Sequence, residues 1–257
     1  MQSQSRINSF LTLSVSKWQI PIKLDKMKIP KIIHQVWLDM PSSAPFPVKL
    51  TETWKTKNPD WKHILWDKES SQFFLEENFS NWISFYEKLT HNIQRCDLLR
   101  YLILIKYGGV YVDVDYECIK SIEETLESQT LAFGLEPEAH AKYHKSDYFL
   151  GNCFMASVPE HPFLIEFIES IKLKTPIIDI DKNDKYRYVM NTTGPIALNQ
   201  FYQQNSKKES ICLIQPEVIC PLMSREAKEY YLGINKDIYA EKLKKAVAIH
   251  LFAGTWL

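Results

Sequence analysis

The sequence predicts an α/β fold, and two stretches carry that prediction. The first alternates strand, helix and strand: an apolar, β-branched run at Ile29–Leu38, a helical run at Val48–Lys57, and W-K-H-I-L-W at Trp61–Trp66. Such alternation implies a βαβ unit with a parallel strand pair. The second is I-K-Y-G-G-V-Y-V-D-V-D-Y-E, Ile105–Glu117, in which a helix ends, a Gly-Gly turn follows and a strand carries two aspartates.

A chain of 257 residues fits one α/β domain with insertions or two small ones. Apolar content of 45% and aromatic content of 13% supply a substantial core. Lys+Arg and Asp+Glu balance at 31 each, so no basic footprint argues for nucleic acid as a partner. The five cysteines are odd in number and form no C-x-x-C pair. Their spacing indicates neither a disulfide framework nor a cysteine zinc site, which suits a reducing cytosol. No apolar run reaches the ~18 residues that span a bilayer. Residues 1–26 read as an N-terminal extension and 27–257 as the folded domain, with Met27 an alternative start; an amphipathic membrane-surface arm in 1–26 stays open. The expected location is the cytoplasm, at or near the inner membrane face.

Taken in order, Ile29–Leu38 is the first strand and feeds a loop rich in Pro and Ser at 39–47. Trp37 thus stands near a strand's carboxyl end, where ligands of open α/β sheets collect; stacking on a nucleotide base competes with plain core packing. Helix 48–57 and strand 61–66 follow. Residues 67–85 read as one long helix with aromatic clusters. Asn92–Tyr107 is apolar nearly all round beyond Leu98, so it is a buried helix. Charges there are expensive unless paired or in contact with ligand. Asp97 and Arg100, three apart on one face, either bridge each other or look into a site. Further on, 121–126 reads as a short helix, 130–136 and 148–157 as strands, 161–172 as a helix, and 174–188 as a solvated loop or flap. Helix 196–203, a strand end at 219–222 and a last strand at 247–250 complete the set.

Strand alternation puts Val110, Val112 and Val114 on one face of the central strand and Tyr111, Asp113 and Asp115 on the other. Two carboxylates about 7 Å apart along a strand repel unless something positive lies between them. A divalent cation, Mg²⁺ or Mn²⁺, is the simplest candidate, since both take carboxylate oxygens and substrate phosphates.

The compound motif C-D-L-L-R-Y-L-I-L-I-K-Y-G-G-V-Y-V-D-V-D, with K-I-P-K-I-I-H-Q-V-W and N-P-D-W-K-H-I-L-W-D before it, resembles glycosyltransferase family 32, the D-x-D sugar-binding-region group. That group is related to the yeast initiating α-1,6-mannosyltransferase and to the clostridial glucosylating toxins. The resemblance implies a GT-A-type, Rossmann-like mixed sheet flanked by helices. It also implies a UDP- or GDP-hexose donor, a glycan acceptor of the capsule or lipopolysaccharide kind, a divalent metal and retention of anomeric configuration. Residue by residue, it implies that Trp37 stacks on the donor base and that Asp97 and Arg100 contact the donor sugar and its phosphate-proximal oxygens. By the same resemblance Asp113 would hold sugar or ribose, Asp115 would bind metal, and Tyr111 would lie near the phosphates or ribose. Asn152 stands near the acceptor, and Gly194 in the T-G-P element opens a helix whose N–H groups suit phosphate or sugar oxygens. In the tail the resemblance makes His250 a candidate metal ligand, where a strand-end histidine otherwise reads as a satisfied core residue, Thr255 a candidate phosphate or metal contact, and Trp256 a cover over the diphosphate. Two rival readings use the same residues: a metal-dependent phosphoesterase, which needs a second metal cluster, and an inactive carbohydrate-binding protein. Oligomeric state is not legible.

Overall fold

A computed structural model describes residues 27–38 and 46–254. The expectations for residues 1–26, Thr255 and Trp256 lie outside the described residues. Eight strands follow in chain order: β1 Ile32–Val36, β2 Lys62–Trp66, β3 Gly109–Val112, β4 Tyr116–Cys118, β5 Leu131–Leu135, β6 Leu150–Ser157, β7 Cys212–Ile214 and β8 Ala248–His250. Six form one mixed sheet in the order β2-β1-β3-β6-β5-β7. β1 runs parallel to β2 and β3, β6 is antiparallel to β3 and β5, and β7 is parallel to β5. The expected parallel β1–β2 pair is present, joined through the helix Val48–Lys57. β4 and β8 pair as a separate antiparallel ribbon, with Tyr116 opposite His250.

The sheet is buried on both faces. The helix Asn92–Tyr107 covers one, packing Leu98, Leu102 and Ile105 with Tyr111, Phe133 and Met155. The other face joins Ile33, Val110, Val112 and Phe154 to Trp54 of the Val48–Lys57 helix. Gly108 and Gly109 make the reversal from the 92–107 helix into β3. Both have positive φ, +62° and +93°. A Cβ at Gly109 would meet the Ile32 carbonyl oxygen at 2.5 Å, and one at Gly108 would meet that of Ser157 at 2.7 Å, so only glycine fits this close approach.

Several expectations need correction. The motif is not one strand. β3 ends at Val112, where the Asp113 N–H donates to the Cys153 carbonyl, and a tight turn closed by the Tyr116 N–H on the Asp113 carbonyl at 3.3 Å leads into β4. Alternation therefore holds for Val110, Tyr111 and Val112 but not beyond, and Val114 lines a cleft instead of joining the valine core. The single helix over 67–85 breaks at Phe79 into Lys68–Asn78, a 3₁₀ turn Ser80–Trp82 and Ile83–Lys88. The Asn78 amide donates back to the Phe74 carbonyl at 3.0 Å, competing with the backbone ladder. The stretch 174–188 contains a 3₁₀ turn, Thr175–Ile177, and the start of a helix, Lys185–Thr192, whose N-terminus the Asp184 carboxylate caps at the Arg187 N–H. No strand ends at 219–222 as expected: Ile219 closes a helical turn, Pro216–Ile219, with proline at its first position, and residues 220–222 pair in no strand.

Candidate functional site

Where β1 and β3 end, the chain leaves an open cleft of about 370 Å³. It is lined by Trp37 from the end of β1, Arg100 and Cys96 from the 92–107 helix, and Tyr111, Asp113 and Asp115 from β3 and its turn. His250 at the end of β8 and Phe252 just after it also line the cleft, as do Tyr186 and His140, whose ring meets that of Phe252 edge-on at 5.3 Å. Sequence reasoning singled out six of these, Trp37, Arg100, Tyr111, Asp113, Asp115 and His250, and the fold brings them together.

The buried wall is a hydrogen-bonded network around Arg100. Its guanidinium lies 3.2 Å from Asp97 Oδ1 and 3.4 Å from Asp113 Oδ1, donates to the Asn152 carbonyl at 2.8 Å, and sits over the Tyr111 ring at 4.7 Å. The Tyr111 hydroxyl donates to Asp113 Oδ1 at 2.6 Å. Burial disfavours the charge on Arg100, but Asp113, Tyr111 and Asp97 outweigh it and hold the group well above its ordinary value. Asp97 does not reach the cleft. Its Oδ1 accepts from the Asn152 amide at 2.9 Å and its Oδ2 from the Thr193 hydroxyl at 2.7 Å. Burial pushes Asp97 up to about 6, against the pull of Arg100.

Asn152 and Gly194 likewise do not line the cleft. The Asn152 amide is committed to Asp97 and to the Tyr101 hydroxyl at 3.0 Å, and the Gly194 N–H donates to the Val189 carbonyl at 3.0 Å. Asp97 and Asn152 form the brace behind the wall, with both Asp97 oxygens engaged within the protein, and none of Asp97, Asn152 and Gly194 lines the cleft where direct ligand contacts were expected of them. Thr193, which the sequence did not single out, is the T-G-P residue that reaches the network.

The open side of the site is the motif turn. Asp113, Asp115 and His250 offer one donor atom each, all within 4.8 Å of one another, closer than a straight strand would hold the two aspartates. His250 Nε2 lies 3.3 Å from Asp115 Oδ1, while Asp115 Oδ2 accepts the Ala253 N–H at 2.8 Å. Stacking on Tyr116 at 4.4 Å and 5° fixes the imidazole plane. Burial raises Asp113, and the negative charge of Asp115 raises it further, in opposition to Arg100. Burial acts on Asp115 in the same sense, but His250 overrides it and holds Asp115 below the usual carboxylate range. Two carboxylate oxygens and one imidazole nitrogen, converging at a cleft mouth that leaves other positions open, fit a hard divalent cation that also takes substrate oxygens.

His140, Tyr186 and Phe252 were not foreseen. His140 lies on a six-residue helix, Glu138–Tyr143, and Tyr186 opens a helix in the stretch read as solvated loop; neither sits in a motif or a strong periodicity.

Residues 47–132 match the family described as the glycosyltransferase sugar-binding region containing a DXD motif. Inositol phosphoceramide mannosyltransferase 1 of Schizosaccharomyces pombe is 31% identical over 182 residues, covering 67% of this chain and 50% of its own length. The initiation-specific alpha-1,6-mannosyltransferase of the same organism is 25% identical over 270 residues, 93% of this chain and 66% of its own. The chain spans about half the length of the inositol phosphoceramide mannosyltransferases it matches. Among solved structures, the PaToxG glycosyltransferase superposes with a TM-score of 0.51 at 18% identity, over 95% of this chain and 92% of that one. That likeness speaks to the fold, a GT-A-type mixed sheet flanked by helices. By its DXD turn and the region around it, the chain belongs to the glycosyltransferases whose sugar-binding region contains a DXD motif.

Proposed function

We propose that the chain transfers a hexosyl group from a nucleotide-diphosphate sugar to a hydroxyl of a glycan or glycolipid acceptor, with retention of configuration, in a reaction that uses Mn²⁺ or Mg²⁺. The observation that carries this reading is the convergence of Asp113, Asp115 and His250 within 4.8 Å at the mouth of a cleft that also presents Trp37 and Arg100. The nitrogen donor favours Mn²⁺ over Mg²⁺, which prefers an all-oxygen shell.

In this reading Asp115 and His250 hold the cation, and Asp113 shares it from the side braced by Arg100 and Tyr111. When bound, the cation neutralises charge that develops on the departing diphosphate. Trp37, half-buried with Phe46 edge-on at 5.5 Å, offers a ring for the base. Arg100 contributes fixed positive charge at the cleft wall, with Asp97, Asn152 and Thr193 preventing its movement. Among the described residues no pair of cleft carboxylates stands apart from the cation cluster to act as nucleophile and acid. The acceptor hydroxyl therefore attacks on the face the diphosphate leaves, and the diphosphate oxygen takes the proton.

The names of the similar yeast proteins support mannose as the hexose, and they extend the acceptor from a capsule or lipopolysaccharide glycan to the inositol phosphate of a lipid. A phosphoesterase would need a second hard-cation cluster on the cleft. The other metal-capable group among the described residues, Glu136, Cys220 and His250, contains a thiol, and neither Glu136 nor Cys220 lines the cleft. Incubation with a panel of nucleotide sugars and Mn²⁺ tests the reading. Slow release of UDP or GDP is expected from wild type and none from Asp115→Asn at unchanged thermal stability. Retained turnover in Asp115→Asn, or release of phosphate from simple esters, contradicts it.

A further inference from the structure

Behind the cleft, on the far side of His250 from Asp115, four side chains from separate parts of the chain converge. Glu136 follows β5, Cys153 lies in β6, Cys220 follows the Pro216–Ile219 turn, and His250 ends β8. A His250 ring nitrogen, the Cys220 sulfur and a Glu136 oxygen lie within 4.8 Å of one another. Cys153 Sγ is 3.4 Å from Glu136 Oε1 and 3.3 Å from the Tyr116 hydroxyl. His250 is itself buried, and its Nδ1 has no hydrogen-bond partner although Nε2 faces Asp115. Both sulfurs lie near enough to perturb the imidazole, yet neither makes a hydrogen bond of sound geometry to Nδ1.

A buried ring nitrogen with no partner, held rigidly by the Tyr116 stack, is a ligand position in search of a ligand. We propose that Glu136, Cys220 and His250 Nδ1 form a second cation site, thiophilic in character and suited to Zn²⁺, with Cys153, which lies against Glu136 just outside that group of three, moving in as the fourth donor. Two sulfurs, one nitrogen and one oxygen are a tetrahedral zinc donor set, whereas Mg²⁺ and Mn²⁺ prefer oxygen. His140 Nδ1 pairs with Glu136 Oε2 at 3.0 Å, an outer partner that orients the carboxylate and leaves Oε1 to the site. Gly151 keeps the space open, because a Cβ there would meet Glu136 Oε1 at 2.7 Å and Cys153 Sγ at 2.9 Å. Both thiols release their protons on ligation. Burial holds Cys153 up at about 12 and Cys220 up at about 11, so cation uptake is accompanied by proton release and strengthens as pH rises. With Nδ1 occupied, the imidazole keeps its remaining proton on Nε2, facing Asp115. The thiophilic and hard sites thus compete for one ring. The inference stands on these residues and does not depend on glycosyl transfer.

The test is titration of the full, chelator-dialysed chain with Co²⁺ alone, followed by displacement with Zn²⁺. One equivalent is expected to give sulfur-to-cobalt charge-transfer absorption that Zn²⁺ abolishes. Cys220→Ser, Cys153→Ser and Glu136→Gln should each weaken binding at least about tenfold. Gly151→Ala should remove the band with every ligand still in place, which keeps the test open if a cysteine variant fails to fold. Asp115→Asn should retain the band, separating this site from the DXD turn. Absence of the band at one equivalent in wild type, or an unchanged band in both cysteine variants, overturns the proposal.

Discussion

Arg100 is held in several directions at once: it pairs with Asp97 and Asp113 and donates to the Asn152 carbonyl and, weakly at 3.5 Å, to the Cys96 carbonyl. Removing it strands the buried Asp97 carboxylate and leaves Asp113 unpaired at the cleft wall. Arg100→Met is therefore expected to cost about 3–5 kcal/mol of stability, read as a lowered urea midpoint at unchanged slope. Arg100→Lys should not restore it, because an ammonium cannot span both carboxylates in one plane. The sequence marked Asp97 and Arg100 as a pair on one helical face and left open whether they bridge or face ligand. The structure divides the two outcomes, with Asp97 bridging behind the wall and Arg100 bridging while it also lines the cleft. That division was not legible, because Thr193 and Asn152, which claim Asp97, lie far along the chain and carry no periodic signal of their own.

Elements with strong local chemistry read directly from the sequence. Val48–Lys57 and Asn92–Tyr107 have the boundaries expected, since proline loops, glycines and a continuous apolar run determine them without tertiary help. Elements set by a cap or a single side chain did not. The break at Phe79 depends on the Asn78 side chain, and the Lys185–Thr192 helix on Asp184. The DXD turn was hidden for a related reason. Alternating Val and Asp suits a strand, and only the pairing of Asp113 N–H with Cys153 on β6 shows where the ladder stops. At this scale the Gly-Gly reversal is the sharpest target. Gly109→Ala forces a side chain onto a backbone of φ +93° and against the Ile32 carbonyl, and should destabilise by at least about 1–3 kcal/mol in chemical denaturation. The same change displaces β3 and the turn it leads to, so cation binding should weaken along with stability.

Across the whole molecule, three neutral histidines tie the fold to pH. His34, His63 and His161 are each lowered to about 4, with burial the main cause. In His34 the tautomer is fixed: Nε2–H donates to the Gly108 carbonyl at 3.0 Å and Nδ1 accepts from Trp66 Nε1 at 3.2 Å, so a second proton costs that bond as well. Between the ordinary 6.5 and about 4, the unfolded chain binds protons that the folded chain excludes. The histidines' share of the stability is therefore full above pH 6.5 and falls as pH drops towards 4, opposed over the lower part of that window by Asp97, which is held up at about 6 and favours the fold once protonated. His34 alone accounts for about 3 kcal/mol of that loss at the lower end. The loss of thermal midpoint between pH 6.5 and 4.5 should be smaller in His34→Gln than in wild type; an equal loss contradicts the assignment.

The central claim at this scale is that the mixed sheet exists to present the 113–115 turn and His250 to a nucleotide diphosphate through a cation. Calorimetric titration of UDP and GDP into the full chain, with and without Mn²⁺, tests this most directly. The account predicts saturable binding of at least one of the two that requires Mn²⁺ and disappears in Asp115→Asn. Binding of equal strength without Mn²⁺, or unaltered by that substitution, would contradict it.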